Sequence, residues 1–398
     1  MRFDHTILQI VPRLDAGGAE RSTLEIAGAI VGAGGRALVA TAGGRLAPEI
    51  EKLGGEIIEL PVHSKNPAVI WNNGGRLARL AAERGVELIH ARSRAPAWSA
   101  LVAARKIGVP FVTTYHGAYE ASGQIKRLYN SSMLRADCVI ANSRFTAAAI
   151  ARTNQVNPEH LRVIPRGADL SVFNPLTIDE ARINHIAAGW GLAGEKNAIN
   201  VLLPARLTAW KGHETAIDAV AALKSRMENS SDTGQRAGLT LVFCGGAQGR
   251  REFDETLRAM IDERGVRDMV HMVGDCADMP AAYAWADVVI APSTRPEAFG
   301  RVVVEAGAMG KPVIASNHGG ACETVIEGET GFLVTPGDPA ALADAIERVW
   351  RMTPRERRIM GENGRARATS VYSSAAMCDA TLRVYSDLLA RMKKPAAA

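Results

Sequence analysis

The sequence predicts an α/β protein of two domains, each built on a parallel, doubly wound sheet. Three observations predict it. The chain has 398 residues, enough for two cores of ordinary size. Short apolar runs of strand length alternate with helical patterns, as repeated βαβ units require. The alternation lapses over residues 177–196 and then resumes at Ala198. That lapse places the boundary: residues 1–190 form a first domain, 191–372 a second, and 373–398 a C-terminal helix with a short tail.

In the first series, strands are expected at 5–11, 36–41, 56–60, 87–90, 110–114, 137–141 and 162–165. Helices are expected from residue 19 and at 45–53, 71–84, 98–106 and 143–152, where Ser143 suits an N-cap. Gly17 and Gly18 either let backbone approach a ligand at a helix start or supply a flexible turn. They are not the fingerprint G-x-G-x-x-G, and no acidic residue ends the second strand, which argues against a nicotinamide enzyme. Ligands of doubly wound sheets sit beyond the carboxyl ends of the strands. Two of those ends carry chemistry. Arg92 and Arg94 read either as contacts to an anionic group or as solvated loop charges. His116, followed by Gly117, Ala118 and Tyr119, reads either as a cleft residue or as a hydrogen-bonded structural imidazole.

In the second series, strands are expected at 198–205, 239–244, 269–273, 287–292, 311–316 and 331–335. Helices follow at 213–227, up to residue 264, at 300–309, after Asp338 and at 373–392; the polar stretch 228–238 reads as a surface loop. Arg206 and Lys211 close the first of these strands, where two cations can clamp a diphosphate or remain surface charge. Strand 287–292 leads through Pro292 and Pro296 to a helix opening at Gly300. Glu297 precedes its first turn and Glu305 lies one to two turns in. Carboxylates so placed can accept hydroxyls at two ends of one ligand, beside the free N–H groups of the helix start. Otherwise Glu297 is a cap and Glu305 part of a solvated face.

Composition is that of a soluble globular protein, 47% hydrophobic and 22% charged. Residues 1–190 hold 22 Lys+Arg against 16 Asp+Glu, or +6, and the remainder 25 against 26, or −1, so the first half is the basic one. Five cysteines lack metal-ligand spacing and read as reduced thiols in a cytosolic protein. No signal peptide and no apolar run of about 18 residues is evident. Residues 92–152 carry nine Lys+Arg against Glu120 and Asp137. There Ile125, Leu128, Tyr129 and Met133 recur at helical spacing beside Lys126, Arg127 and Arg135. This stretch reads either as a helix lying on an anionic membrane or as a core-facing stripe with solvated cations.

Glu297, Phe299, Gly300 and Glu305 together resemble the double-glutamate motif of family 4 glycosyltransferases. Other matches extend the resemblance from Gly17 to Gly331. Gly17-Gly18-Ala19-Glu20 looks like the family's N-terminal loop, His116-Gly117 its histidine pair, and Asn142-Ser143 its Asn-Ser. Arg206 with Lys211-Gly212 matches the Arg-Leu and Lys-Gly pair, and Gly319-Gly320 with Glu323 matches Gly-Gly-x-x-Glu. Residues 164–169 resemble Pro-Asn-Gly-Val-Asp but carry Arg166 where Asn is usual.

The resemblance implies the GT-B fold: two Rossmann-like domains facing each other across a cleft, the last helix crossing back to the first. It implies retaining transfer of a sugar from a nucleotide-diphosphate donor. Glu297 would hold the transferred sugar, Glu305 the ribose, Arg206 and Lys211 the pyrophosphate. Gly274, Asp275, Cys276 and Met279 would hold the base, largely by backbone. Gly17, Gly18, Phe299 and Gly300 would complete the donor site, and Glu323 would support it. His116 would stand near the transferred sugar on the acceptor side; with Glu297, Arg206 and Lys211 it makes the expected catalytic set. The chain contains no Asp-x-Asp, so no metal and no cofactor is expected: the nucleotide-sugar is a substrate, and Arg206, Lys211 and the helix end at Gly300 replace the metal's charge. Family habits and the basic half imply a glycan or glycolipid acceptor, such as a lipopolysaccharide or capsule precursor, and no nucleic acid. They place the protein in the cytoplasm, at the cytoplasmic face of the inner membrane if membrane contact holds. Two alternatives stand beside this: a sugar-nucleotide epimerase or hydrolase of the same fold, and a silent nucleotide-sugar-binding subunit.

Overall fold

The computed structural model describes residues 2–15, 17–117, 123–153, 156–192, 198–229 and 238–393. Tyr119, the expected loop at 228–238 (but for its ends) and the tail after Lys393 lie outside the described residues. The chain divides into two compact units, Met1–Arg166 with Ser374–Ala398, and Gly167–Ser373.

The first unit carries strands β1 (Thr6–Ile10), β2 (Arg36–Thr41), β3 (Glu56–Glu59), β4 (Leu88–Ala91), β5 (Phe111–Tyr115), β6 (Cys138–Ala141) and β7 (Leu161–Val163). All pair in parallel, in the order β3-β2-β1-β4-β5-β6-β7. Helices α1 (Gly18–Gly32), α2 (Ala47–Lys52), α3 (Pro67–Glu83), α4 (Arg94–Ile107), α5 (Gln124–Leu134) and α6 (Arg144–Thr153) fall between them. β1 is buried at every residue, because it is central and covered on both faces. Successive side chains point to opposite faces. Leu8 and Ile10 therefore join one apolar layer with Leu77, Leu101 and Met133, while Ile7 joins the other with Leu24 and Ile30.

The second unit carries α7 (Glu180–Gly189), β8 (Ala198–Leu203), α8 (His213–Asn229), β9 (Gly238–Cys244), α9 (Arg251–Glu263), β10 (Val270–Gly274), α10 (Met279–Trp285) and β11 (Val288–Ala291). Beyond these come α11 (Arg301–Ala308), β12 (Val313–Ser316), α12 (Ala321–Thr324), β13 (Gly331–Val334), α13 (Pro339–Arg351) and α14 (Pro354–Val371). Its parallel sheet runs β10-β9-β8-β11-β12-β13. The last helix, α15 (Ser374–Lys393), belongs to the first unit, where Met377, Leu382 and Tyr385 enter the layer of Ile7 and Ile30.

Strand order reverses between β1 and β4 in one sheet and between β8 and β11 in the other. Loops leaving the sheet at such a point diverge, and the opening between them is where ligands of this architecture bind. The loops in question are those after β1 and β4, and those after β8 and β11.

The boundary read at residue 190 moves to 166/167. The stretch expected to be an unpatterned connection holds a helix, α7, capped by Asp179, which accepts from the Arg182 amide at 2.8 Å. Arg182 grips Asp278 with two hydrogen bonds of 2.9 and 2.8 Å, and Trp190 packs edge-on against Trp285 with centroids 5.2 Å apart. Those contacts fasten residues 167–192 to the second unit.

Candidate functional site

At the β8/β11 switch point the chain is folded around glycines. Gly212 has φ +79°, and a Cβ there would stand 1.9 Å from the Pro292 carbonyl oxygen. Only glycine lets the loop after β8 lie against the loop after β11. Thr294 then donates its amide to the Trp210 carbonyl at 2.8 Å. This apposition brings the Lys211 Nζ to 2.8 Å from Glu297 Oε1, both side chains largely shielded at 14% and 22% exposure. The same Oε1 accepts from Ser293 Oγ at 2.5 Å, and the Lys211 ammonium lies 4.5 Å from the Trp210 ring centroid. From the other side, the Gly320 amide donates to the Glu297 carbonyl at 2.8 Å, and His318 Nε2 meets the Ser293 carbonyl at 2.9 Å.

Glu297 is therefore no helix cap. The N-cap of α11 is Gly300, in the left-handed region at φ +81°. Glu305, in the second turn of α11, is not on a solvated face: it accepts from the Tyr283 hydroxyl at 3.0 Å and from Arg301 Nε at 3.1 Å, and is 15% exposed. Burial, and then the Glu305 charge, hold the Tyr283 phenol well above its ordinary range, so it remains a donor. Phe299 departs from expectation. Its ring is buried and packs edge-on against Tyr372, 5.7 Å between centroids, so it anchors the loop from beneath and does not line the site with its side chain.

Arg206 is exposed and donates to Gln248 Oε1 at 3.1 Å; among the described residues no hydrogen bond or ion pair joins it to Lys211 or Glu297. At the end of β10, Gly274 has φ +74° and Asp275 Oδ1 accepts from the Gly246 amide at 2.7 Å. Cys276 is half-buried, its thiol lowered to about 7 chiefly by a hydrogen bond with Cys244, whose own thiol that bond pushes up. Cys244 Sγ also lies 3.6 Å from Met279 Sδ. Glu323 works through its backbone: its carbonyl accepts from Arg367 Nη2 at 2.6 Å and from the Tyr372 hydroxyl at 2.7 Å.

The first unit's switch point is lined differently. Gly17 is the N-cap of α1 with ordinary extended backbone, φ −83° and ψ 167°. It and Gly18 are small because side chains fold over them: a Cβ on Gly17 would stand 2.0 Å from Glu20 Oε2, and one on Gly18 2.1 Å from Arg166 Nη1. Arg166 also donates Nη2–H to His116 Nδ1, just past β5. Burial, and then the charges of Arg166 and Arg92 and the nearby His90, hold His116 well below its ordinary range.

Arg92 is neither a free phosphate contact nor a solvated charge. It is 2% exposed, donating from Nη1 to Gln9 Oε1 at 3.3 Å and from Nη2 to Ser22 Oγ at 2.9 Å. Arg94 opens α4 and donates to Asn130 Oδ1 at 3.3 Å. Sequence reasoning passed over Tyr283, Ser293 and Arg166 as supports of the site. The one readable signal was Arg166, which stands where the family pattern has Asn. Among the described residues no group of three or more His, Cys, Asp or Glu side chains is placed to hold a metal ion.

Two parallel-sheet α/β units, each with polar side chains gathered where its strand order reverses, define a glycosyltransferase of the GT-B type. A family profile described as Glycosyltransferase Family 4 matches residues 16–172, and one described as Glycosyl transferases group 1 matches residues 191–367. A solved glycosyltransferase from Rickettsia africae is 31% identical, with a TM-score of 0.88 over 97% of this chain and 99% of that one. HepE of Anabaena, solved with UDP and glucose, is 26% identical, with a TM-score of 0.80 over 96% of this chain and 99% of that one. The D-inositol 3-phosphate glycosyltransferase of Corynebacterium glutamicum is 31% identical over 258 residues, 64% of this chain and 58% of that protein. The match thus spans about six tenths of the length of that relative. The chain belongs to the family 4 glycosyltransferases.

Proposed function

We propose that the protein moves a sugar from a nucleoside-diphosphate sugar to a lipid-linked precursor of an envelope polysaccharide, with retention and without a metal ion. The observation that carries the reading is the Lys211–Glu297 pair, supported by Ser293 and followed eight residues on by Glu305 held by Tyr283 and Arg301. Without a donor, Lys211 and Glu297 neutralise each other. A bound diphosphate offers Lys211 a stronger anionic partner and releases the Glu297 carboxylate to accept from sugar hydroxyls. Charge then grows on the leaving diphosphate, where Lys211, Arg206 and the N–H groups at the start of α11 stabilise it. Glu305, fixed by two donors, accepts from the ribose. HepE, solved with UDP and glucose, makes a UDP-sugar the first donor to test.

The lipid-linked acceptor rests on α5. Its expected apolar stripe is split: Met133 is fully buried in the core, while Leu128 is 60% exposed beside the exposed Lys126 and Arg127. An exposed leucine flanked by cations suits an anionic surface. No helix among the described residues is long and apolar enough to cross a membrane. A second reading comes from the curated relatives, whose named acceptor is a phosphorylated polyol and no lipid.

A panel of nucleoside-diphosphate sugars, scored for nucleoside diphosphate released with no acceptor, with membrane lipid extract and with D-inositol 3-phosphate, tests these readings. Release that requires the lipid extract is expected. Release without acceptor would make the protein a hydrolase or epimerase, and binding without release a silent subunit. Release only with the inositol phosphate would replace the lipid acceptor.

A further inference from the structure

We infer that Arg166 is a positioning residue: it fixes the His116 imidazole as the neutral tautomer with its proton on Nε2, so that His116 meets substrate as a hydrogen-bond donor. The second half rests on the proposed transferase function; the tautomer does not.

The chemistry of the contact forces the tautomer. A guanidinium has five N–H donors and no acceptor, and it stays charged at any pH the protein survives. Arg166 Nη2 addresses His116 Nδ1, so Nδ1 must offer its lone pair. A neutral imidazole that accepts at Nδ1 carries its hydrogen on Nε2. An imidazolium would turn an N–H toward the guanidinium and place two cations in contact. The other groups acting on the ring are Arg92 and His90, both at the end of β4, and neither offers it a negative charge. His116 therefore stays neutral, and Nδ1 is occupied and unable to take a proton.

The remaining nitrogen, His116 Nε2, is shielded from solvent and meets no partner among the described residues. A buried donor left unmade carries its full desolvation cost, which an acceptor oxygen on a ligand recovers. Sugar hydroxyls and phosphates offer such oxygens. Arg166 is held to this task from both sides. Its Nη1 occupies the place a Gly18 side chain would take, so the start of α1 and the end of β5 confine one guanidinium between them. Asparagine, usual at this position in the family pattern, also has an N–H to donate, but no charge with which to keep the ring neutral.

Histidine-selective 15N labelling of the full chain, read by long-range 1H–15N spectra between pH 6 and 8, tests the tautomer without any substrate. His116→Gln assigns the resonances. An acceptor-type Nδ1 and a protonated Nε2, unchanged across the range, are expected for the wild type; Arg166→Gln, whose amide still donates but carries no charge, should keep that tautomer at pH 8 and begin to protonate only toward pH 6. Arg166→Met should bring a mixed or inverted tautomer, or protonation toward pH 6. A wild-type His116 protonated on Nδ1, or an Arg166→Met spectrum like the wild type, overturns the inference. In steady-state assays with a turned-over donor, Arg166→Met should lower kcat about tenfold, the loss of one aligned hydrogen bond. Arg166→Gln should restore most of it, with donor KM within about threefold throughout. A changed tautomer with unchanged kcat removes the functional half. If no donor is consumed by the wild type while the spectra are as expected, the transferase reading fails and the tautomer stands.

Discussion

Glu297 and Glu305 are each held by one side chain four residues away, Ser293 and Arg301, and by one distant in sequence. Lys211 lies 86 residues from Glu297 and Tyr283 lies 22 from Glu305, separations that the crossovers of the sheet bridge and a local reading does not. Nor could local pattern separate Arg92, sealed in the interior, from a solvated loop cation two residues before Arg94. The contacts separate the roles kinetically. Ribose is remote from the reacting carbon, so Glu305→Ala should raise donor KM about ten- to hundredfold with kcat little changed. Lys211→Ala removes charge that matters most as the diphosphate leaves, and should lower kcat about 10²–10³-fold. Steady-state kinetics on both variants check this, and one shared signature would refute the assignment. A second residue sets a pH response. His213, buried edge-on against Phe243, is lowered to about 4, mainly by burial. Above the ordinary histidine range both folded and unfolded forms are neutral there, and the full stability is present. As pH falls from about 6.5 toward 4 the unfolded chain binds a proton that the folded one refuses. The second unit should then lose about 3 kcal/mol, as the gap between the two pKa values dictates. Urea unfolding at pH 7 and pH 4.5, with and without His213→Phe, should show the variant losing less over that interval.

Helices and strands were legible where apolar period and flanking breakers agreed, and α14 shows where they did not. Its capping box, Thr353 with Pro354 and Glu356, is present in the sequence and forms in the structure. The helix beyond it is polar and carries Gly361 and Gly364 in its interior, and the sequence pattern raised no expectation of a helix there. The two glycines are contact points. A Cβ on Gly361 would stand 1.9 Å from the Gly310 carbonyl oxygen, and one on Gly364 would stand 3.4 Å from the Gly307 Cα, so α14 lies with its backbone against α11. Alanine in place of glycine ordinarily stabilises a helix interior by about 1 kcal/mol. Here Gly361→Ala should reverse that sign and destabilise by about 1–3 kcal/mol, because the two helices must separate. Donor affinity should fall with it, since α11 carries Glu305. Urea unfolding and nucleoside diphosphate titration measure both, and a stabilised variant would refute the close contact. At α5, anionic vesicles in a flotation assay should recover the protein at low salt and release it at high salt. The double variant Lys126→Glu, Arg127→Glu should stay unbound; equal behaviour of the two proteins would remove the membrane from the proposed function.

The strand–helix alternation announced two parallel sheets, but at the scale of the whole chain the division of residues between units was hidden. Residues 177–196 read as a connection because α7 is short and weakly patterned, and what assigns that helix to the second unit is the grip of Arg182 on Asp278. The first unit is completed only by the end of the chain. In α15, Tyr385 is fully buried, with its hydroxyl 2.6 Å from His90 Nδ1 across 295 residues of sequence, and Met377, Leu382, Leu388 and Leu389 pack with it. A chain ending at Ser373 leaves His90 with an unpaired buried nitrogen, at about 1–3 kcal/mol, and uncovers apolar side chains worth about 1.5–3 kcal/mol each. Together these approach or exceed the roughly 5–15 kcal/mol that holds a domain folded. The second unit keeps its sheet and both of its main apolar layers, which lie within Gly167–Ser373. Truncation after Ser373 should therefore abolish the unfolding transition of the first unit and leave that of the second. Tyr385→Phe, which removes only the hydroxyl, should lower the first transition by about 1–3 kcal/mol in an otherwise intact chain. Calorimetry on the three proteins, with limited proteolysis to locate each transition, decides it. A first unit that still unfolds cooperatively without α15 would mean that its core closes over β1 and β4 by other means.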